Sequence, residues 1–206
     1  MCIATLQTKG TPKISNEVFE TMFNNNPHGF GVSYFNKSHM NKELTILKSL
    51  NFHESLRMYN QVHAFHGKNS HIMLHFRVRT HGVSGLFNTH PFYVGNRKEM
   101  AFCHNGIIGN VPNHKIKSDT QVFNDLALKK LPRNFIHSEK IISQLREFIG
   151  GWNKIIFLTH DNFKILNENG GIWKEGVWYS NKSFLPNRYD IGGDSSSSQC
   201  DIDFNY

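Results

Sequence analysis

The apolar residues of this chain change their spacing several times, and that switching limits the folds open to it. "CIATLQ" reads as a strand, whereas "SNEVFETMF" puts Val18, Phe19, Met22 and Phe23 on one helical face with Ser15 placed as a cap. "GFGVSYF" and "ELTILKS" read as two strands joined by a polar loop, and "HESLRMYNQVHAF" as a helix on the spacing of Leu56, Tyr59, Val62 and Phe65. "HIMLHFR", "HPFYVG" and "EMAFCH" return to strand patterns, and "SDTQVFNDLALKKL" and "SEKIISQLREFI" to helical ones. "KIIFLTH" and "FKILNE" make a hairpin across "HDN", and "GIWKEGVWYS" adds strand-like aromatics. Strands, helices and strands again predict an α+β fold, helices packed on antiparallel sheet. From about Gly192 the sequence turns polar and Ser-rich, so residues 1–191 are expected to form one domain and 192–206 a flexible tail.

Composition narrows the function classes. Aromatics make up 13% of the 206 residues, enough to furnish a core, and no apolar run approaches the roughly 20 residues that span a bilayer. Lys9 and Lys13 follow the first apolar stretch instead of preceding it, unlike a signal peptide. A cytoplasmic protein with no membrane partner is expected. Cys2, Cys103 and Cys200 are too few and too scattered for a disulfide framework, which favours reduced thiols. The net charge is +7, but the basic residues are dispersed, as in Lys37 and Lys42, Arg97 and Lys98, Lys129 and Lys130. No nucleic-acid-binding motif accompanies them, so the charge points to solubility or an acidic partner, not to specific nucleic acid. His71 and His75 could share a strand face, and His63 and His66 lie three apart on a helix. Without HExxH or paired CxxC among the thirteen histidines, neither a metal nor a cofactor is expected.

The stretch 75–110, "HFRVRTHGVSGLFNTHPFYVGNRKEMAFCHNGIIGN", carries polar residues where plain strands would carry apolar ones. Each element has an ordinary explanation. Asn105-Gly106 suits a type I′ hairpin turn, Thr80-His81-Gly82 could end a strand, and Pro91 could mark an edge. Cys2 is open to two readings as well, a small apolar residue at the head of a strand or a nucleophile once Met1 is removed. A terminal nucleophile can use its own α-amino group as base, because that group titrates near neutrality. Acyl transfer needs donors for an oxyanion, which an Asn amide and an adjacent glycine N–H supply. An α-amino-acid substrate needs a guanidinium and a carboxylate, for which Arg77 and Asp119 are candidates.

"MC" at the terminus, "HFRVRTHG", "NTHPF", "FCHNGIIGN" and "SDTQVF", in this order, resemble the class II glutamine amidotransferases. Their pattern is roughly a terminal Cys, H-x-R-x-x-T-x-G, N-x-H-P, H-N-G-x-I-x-N and S-D-T. The resemblance implies a four-layer αββα sandwich of the N-terminal-nucleophile hydrolase type. It makes Cys2 the nucleophile, Asn105 and Gly106 the oxyanion pair, Arg77 the partner of the substrate carboxylate and Asp119 that of its ammonium. Thr80 and His81 would line the pocket, with Asn88, His90 and His104 in support. Ser118 and Gln121 also form a capping box, in which an acid at 119 would stabilise the helix in any case.

The family's usual "RWAT" is "RVRT" here, so Arg79 adds a cation beside the pocket and Val78 takes away an aromatic wall. "CIA" likewise replaces the common "CGI". The implied activity is hydrolysis of L-glutamine to glutamate and ammonia through a Cys2 thioester. The ammonia would pass to a partner enzyme, since no synthase or isomerase segment is visible. A free-standing γ-glutamyl amide hydrolase and a catalytically silent glutamine-binding module stay open as alternatives.

Overall fold

The computed structural model describes residues 1–36, 44–95, 97–160 and 162–186; Lys37, Lys42, Cys200 and the 192–206 segment lie outside the described residues. In chain order the elements are β1 (Ile3–Gln7), α1 (Asn16–Asn25), β2 (Phe30–Phe35), β3 (Leu44–Ser49), α2 (Phe52–His66), β4 (Ile72–Phe76) and β5 (Phe92–Val94). There follow β6 (Arg97–Asn105), α3 (Asp119–Leu126), α4 (Glu139–Ile149), β7 (Lys154–Thr159), β8 (Phe163–Leu166), β9 (Ile172–Lys174) and β10 (Val177–Tyr179). Each helix starts where a side-chain oxygen can accept one of the first free N–H groups. Ser15, Asn51, Ser118 and Ser138 accept from Val18, Glu54, Gln121 and Ile141 respectively.

The strands form two antiparallel sheets, one in the order β3-β2-β4-β1-β10-β9 and one in the order β5-β6-β7-β8. Successive side chains on a strand point to opposite faces, so each sheet contributes to two interiors. On one face of the first sheet, Ile3, Phe30, Val32, Leu74, Phe76 and Tyr179 pack against Phe19, Met22 and Tyr59 of α1 and α2. Residues one step along, Ala4, Leu6, Met73 and Trp178, face Ala101, Cys103, Ile156 and Leu158 of the second sheet. That sheet's other face, with Phe102, Ile155, Phe157 and Leu166, meets Phe123 of α3 and Ile142, Leu145 and Ile149 of α4. The layers therefore run helix, sheet, sheet, helix, and all five residues of β1 are buried because both its faces are covered.

Two sequence expectations change on inspection, and one ordinary alternative is excluded. Phe65 is 78% exposed, because three steps of three residues, at about 100° each residue, carry it half a turn round α2 from Leu56. The helix expected over 118–131 ends at Leu126, and a separate 3₁₀ turn at Leu128–Lys130 buries Leu128 while Leu126 stays exposed. Asn105-Gly106 is not a hairpin turn. Only Gly106 has positive φ (+139°), and β6 pairs with β7 only after α3 and α4 intervene.

One end of the space between the sheets is polar. His75 Nε2 and His90 Nδ1 each lie 3.1 Å from the His104 carbonyl oxygen, and the His75 and His90 rings are 4.2 Å apart. Asn153 Nδ2 donates to the Ile149 carbonyl, which leaves its Oδ1 to accept from His104 Nε2 at 2.8 Å. His104 Nδ1 lies 2.8 Å from the Thr120 hydroxyl, which donates to Asp119 Oδ1 at 3.4 Å. Burial lowers all three imidazole pKa values, that of His75 to about 3, and nearby Lys48 and Arg77 depress His75 and His90 further. Only His104 has an opposing carboxylate, Asp119.

An unfolded chain takes up protons on these rings near pH 6.5, whereas the folded chain resists them until well below that value. Stability is then complete above about pH 6.5 and falls as the pH drops toward 3, by up to about 1.4 kcal/mol per pH unit for each ring. Urea midpoints at pH 7 and pH 5 measure this effect. A clearly lower midpoint at pH 5 is expected, and equal midpoints would show that the three imidazoles are not held neutral.

Candidate active site

Strand alternation gathers the polar residues singled out in the sequence. Cys2 continues the inward face of Ala4 and Leu6, Arg77 that of Met73 and His75, and Asn105 that of Ala101 and Cys103. The β1–β4 register, with Ile3 opposite Phe76, brings Cys2 beside the residues that follow β4. Its Sγ accepts from the Val78 N–H at 3.2 Å and donates to the Val78 carbonyl at 3.3 Å. The Cys2 carbonyl accepts from Asn181 Nδ2 at 2.8 Å. Burial raises the thiol pKa, while the Val78 hydrogen bond, the positive chain terminus and Arg77 pull it down. The balance leaves a neutral thiol, one that requires a base to react.

A cavity of about 20 Å³, room for little more than a water molecule, lies among Cys2, Arg77, Thr80, His81, His104 and Asp119. His90 and Gly106 complete its polar wall together with Ser118 and Thr120. Arg77 is 3% exposed, and its guanidinium donates to the His81 carbonyl at 3.1 Å and the Val83 carbonyl at 3.3 Å. Among the described residues no carboxylate lies within ion-pair distance of it. Asp119 opens α3, where an acid is favoured by the helix dipole, and its Oδ2 accepts from the Ile108 N–H at 2.7 Å. That bond ties the start of α3 to the loop after β6.

Gly106 sits where nothing larger fits. A Cβ there would lie 2.2 Å from Asn153 Oδ1, the atom that accepts from His104.

Two of the singled-out residues do not line the cavity. Asn88 lies beneath it as a brace, donating to the carbonyls of Val83 (3.0 Å) and Ile116 (2.7 Å) and accepting from the Ser118 N–H (2.8 Å). Asn105 contacts Ser180 instead, with Nδ2 2.8 Å from the Ser180 Oγ. The expected capping box is half made. Ser118 accepts from the Gln121 N–H, but the Gln121 side chain donates to the Phe87 carbonyl. Among the described residues no three His, Cys, Asp or Glu side chains converge as a metal site would, and no helix is long and apolar enough to cross a membrane. Thr120 falls within the S-D-T block, whereas Asn153, Ser180 and Asn181 lie in stretches, "GGWNKIIFLTHDNFKIL" and "WYSN", that resemble the family only loosely. Only the period-2 continuation from Trp178 to Ser180 marks one of them as inward-facing.

The model of the class II glutamine amidotransferase family matches residues 12–126, more than half of the chain and all of the segment from Arg77 to Asp119. No curated protein matches the sequence. Among solved structures, the glutamine phosphoribosylpyrophosphate amidotransferase of B. subtilis, complexed with ADP and GMP, aligns with a TM-score of 0.52 at 17% identity. The alignment covers 87% of this chain and 41% of that one. A structure described as the allosteric regulatory enzyme of purine biosynthesis aligns with the same TM-score, at 16% identity over 87% and 41%. A class II glutamine aminotransferase domain protein from Silicibacter pomeroyi gives a TM-score of 0.44 at 14% identity, over 86% and 87%. The chain thus spans about two fifths of the length of the first two enzymes, and the likeness to them is one of fold. With the four layers in place and the family match across the cavity-lining segment, the chain belongs to the class II glutamine amidotransferases and has their N-terminal-nucleophile hydrolase fold.

Proposed function

We propose that this chain hydrolyses the side-chain amide of L-glutamine to glutamate and ammonia, with Cys2 as nucleophile. The observation that carries this reading is the convergence on one cavity of a half-buried thiol, an arginine with no ion-paired carboxylate among the described residues, a carboxylate and a positive-φ glycine. Cys2 Sγ attacks the amide carbon as its proton passes to the α-amino group of the same residue, which requires that Met1 has been removed. The tetrahedral oxyanion is met by the Gly106 N–H and the Asn105 amide. Its collapse breaks the C–N bond, the α-ammonium returns the proton to the leaving nitrogen, and ammonia departs. Water then attacks the γ-glutamyl thioester, releasing glutamate and the free thiol.

Substrate capture follows from the same geometry. A bound α-carboxylate would take the Arg77 donors now spent on the His81 and Val83 carbonyls, and Asp119 Oδ1 would receive the α-ammonium. The present cavity is too small for glutamine, so binding moves the loop that carries those carbonyls. Closure over substrate would exclude water.

Delivery of ammonia to an acceptor enzyme is supported by large, apolar, exposed residues on the segments that carry the cavity lining: Val83, Leu86 and Phe87 after His81, Ile107 after Gly106, and Ile116 before Ser118. A docked partner would cover them. Arg79 favours a second substrate class. Its exposed guanidinium reaches Ser84 Oγ (3.2 Å) on the loop above the cavity, a place that would suit a γ-glutamyl amide bearing an extra anionic group.

Intact-mass measurement tests the nucleophile. Active material should begin at Cys2 and gain the mass of one adduct on incubation with a diazoketone analogue of glutamine. Full activity from chains that all retain Met1 would rule the mechanism out.

Among variants that keep the native circular dichroism, Cys2→Ala should abolish glutamate release and Asn105→Ala should lower kcat by about 10²–10³. Arg77→Ala and Asp119→Ala should mainly raise KM, a loss of about 2–5 kcal/mol for a buried charged contact. An unchanged KM in Arg77→Ala would remove glutamine, or this residue, from the scheme.

A further inference from the structure

Ser180 follows β10 and shares the inward side of Trp178. Its backbone N–H donates to the Ala4 carbonyl at 2.9 Å, which fixes it against β1. Its hydroxyl oxygen meets two nitrogens, the Ala4 N–H at 2.9 Å and the Asn105 side-chain amide at 2.8 Å. If both donate, Oγ accepts twice and its own proton has no acceptor among the described residues. Asn105 Oδ1, also buried, has no partner either. Leaving both groups unspent in a dry interior is unfavourable.

The two ends of an asparagine amide are nearly the same shape, so a half-turn about Cβ–Cγ exchanges them without displacing a heavy atom. After that turn the hydrogen bonds run in one direction. The Ala4 N–H donates to Ser180 Oγ, the Ser180 hydroxyl donates to Asn105 Oδ1, and Nδ2 takes the place that Oδ1 held. The remaining unspent group is then a donor, on the inward face that Cys2 shares. A free donor has a use that a free carbonyl lacks, because the negative oxygen that forms during acyl transfer can only accept.

We infer that Ser180 is a positioning residue whose hydroxyl, oriented by the Ala4 N–H, holds the Asn105 amide with its nitrogen turned to the reacting centre. The inference rests on Asn105 as an oxyanion donor. It assigns to Ser180 no contact with substrate. Neighbouring Asn181 holds the Cys2 carbonyl, so this dipeptide registers the donor against the strand that carries the nucleophile.

Kinetics of the full chain separate this inference from the reading beneath it. Ser180→Ala should lower kcat for glutamine by about ten- to a hundredfold, with KM within about twofold, and Ser180→Thr, which restores a hydroxyl, should recover most of the loss. In an Asn105→Ala background, Ser180→Ala should cost less than about twofold more, since a residue that acts through Asn105 has nothing left to act on. Independent multiplication of the two losses, or wild-type kcat in Ser180→Ala, would overturn the positioning role alone. An unimpaired Asn105→Ala would instead remove the oxyanion-donor reading. A measurement that needs no turnover decides the amide orientation directly. In asparagine-labelled protein, the Asn105 amide protons should give no strong nuclear Overhauser effect to the Ser180 β-protons, and a strong one would overturn the inference.

Discussion

Everything at the cavity depends on the pairing of β1 with β4. Ile3 opposite Phe76 places the start of the chain beside the segment just after β4, so the thiol meets the Val78 backbone and lies close to Arg77. Strand registers are discrete. A slip of one residue would send Ala4 and Leu6 to the helical side and Ile3 into the space between the sheets, turning Cys2 away from Asn105. The aromatic packing of Phe19 on Phe30 and Phe76, with ring centres 5.2 and 4.9 Å apart, guards against that slip from the other face. Core packing and site geometry are thus two sides of one strand pairing.

The interior is built differently along its length. Where Trp178, Leu6 and Ile156 meet, the space between the sheets is filled by ordinary apolar contact. Toward the cavity it is filled by imidazoles bonded to backbone and to Thr120 and Asn153. Neutral histidine suits this place, because a ring can pack against its neighbours while its edges satisfy buried carbonyls and hydroxyls. Lys48 shares the surroundings. It lies 4.4 Å above the centre of the Phe92 ring, and burial brings its pKa down to about 8.

Much of the fold was legible because it rests on local rules. The cap residues Ser15 and Ser118 marked helix starts, and the runs around Ile3, Val32 and Met73 marked strands that proved buried on both faces. Phe65 misled because a spacing of three drifts round a helix. The ordinary reading of Asn105-Gly106 as a hairpin turn falls because β6 and β7 are not joined there. At the cavity, motif blocks named residues without saying what their atoms do in the folded chain. Arg77 binds loop carbonyls, Asn88 braces two loops, and Asp119 holds the Ile108 N–H, all contacts between positions that no spacing rule connects. Asn153 and Ser180 lie outside every block and are reached only through the sheet.

Asn153 stands at a junction that makes the outer helix answerable to the loop at the cavity. Its amide bonds the last residue of α4, and its oxygen bonds His104 and fills the space that a side chain at 106 would need. The end of α4 therefore acts as a gauge block, setting how far the loop after β6 can settle toward the second sheet. A force applied to the solvent side of that helix would pass inward through the Asn153 amide to His104, which lines the cavity beside the thiol.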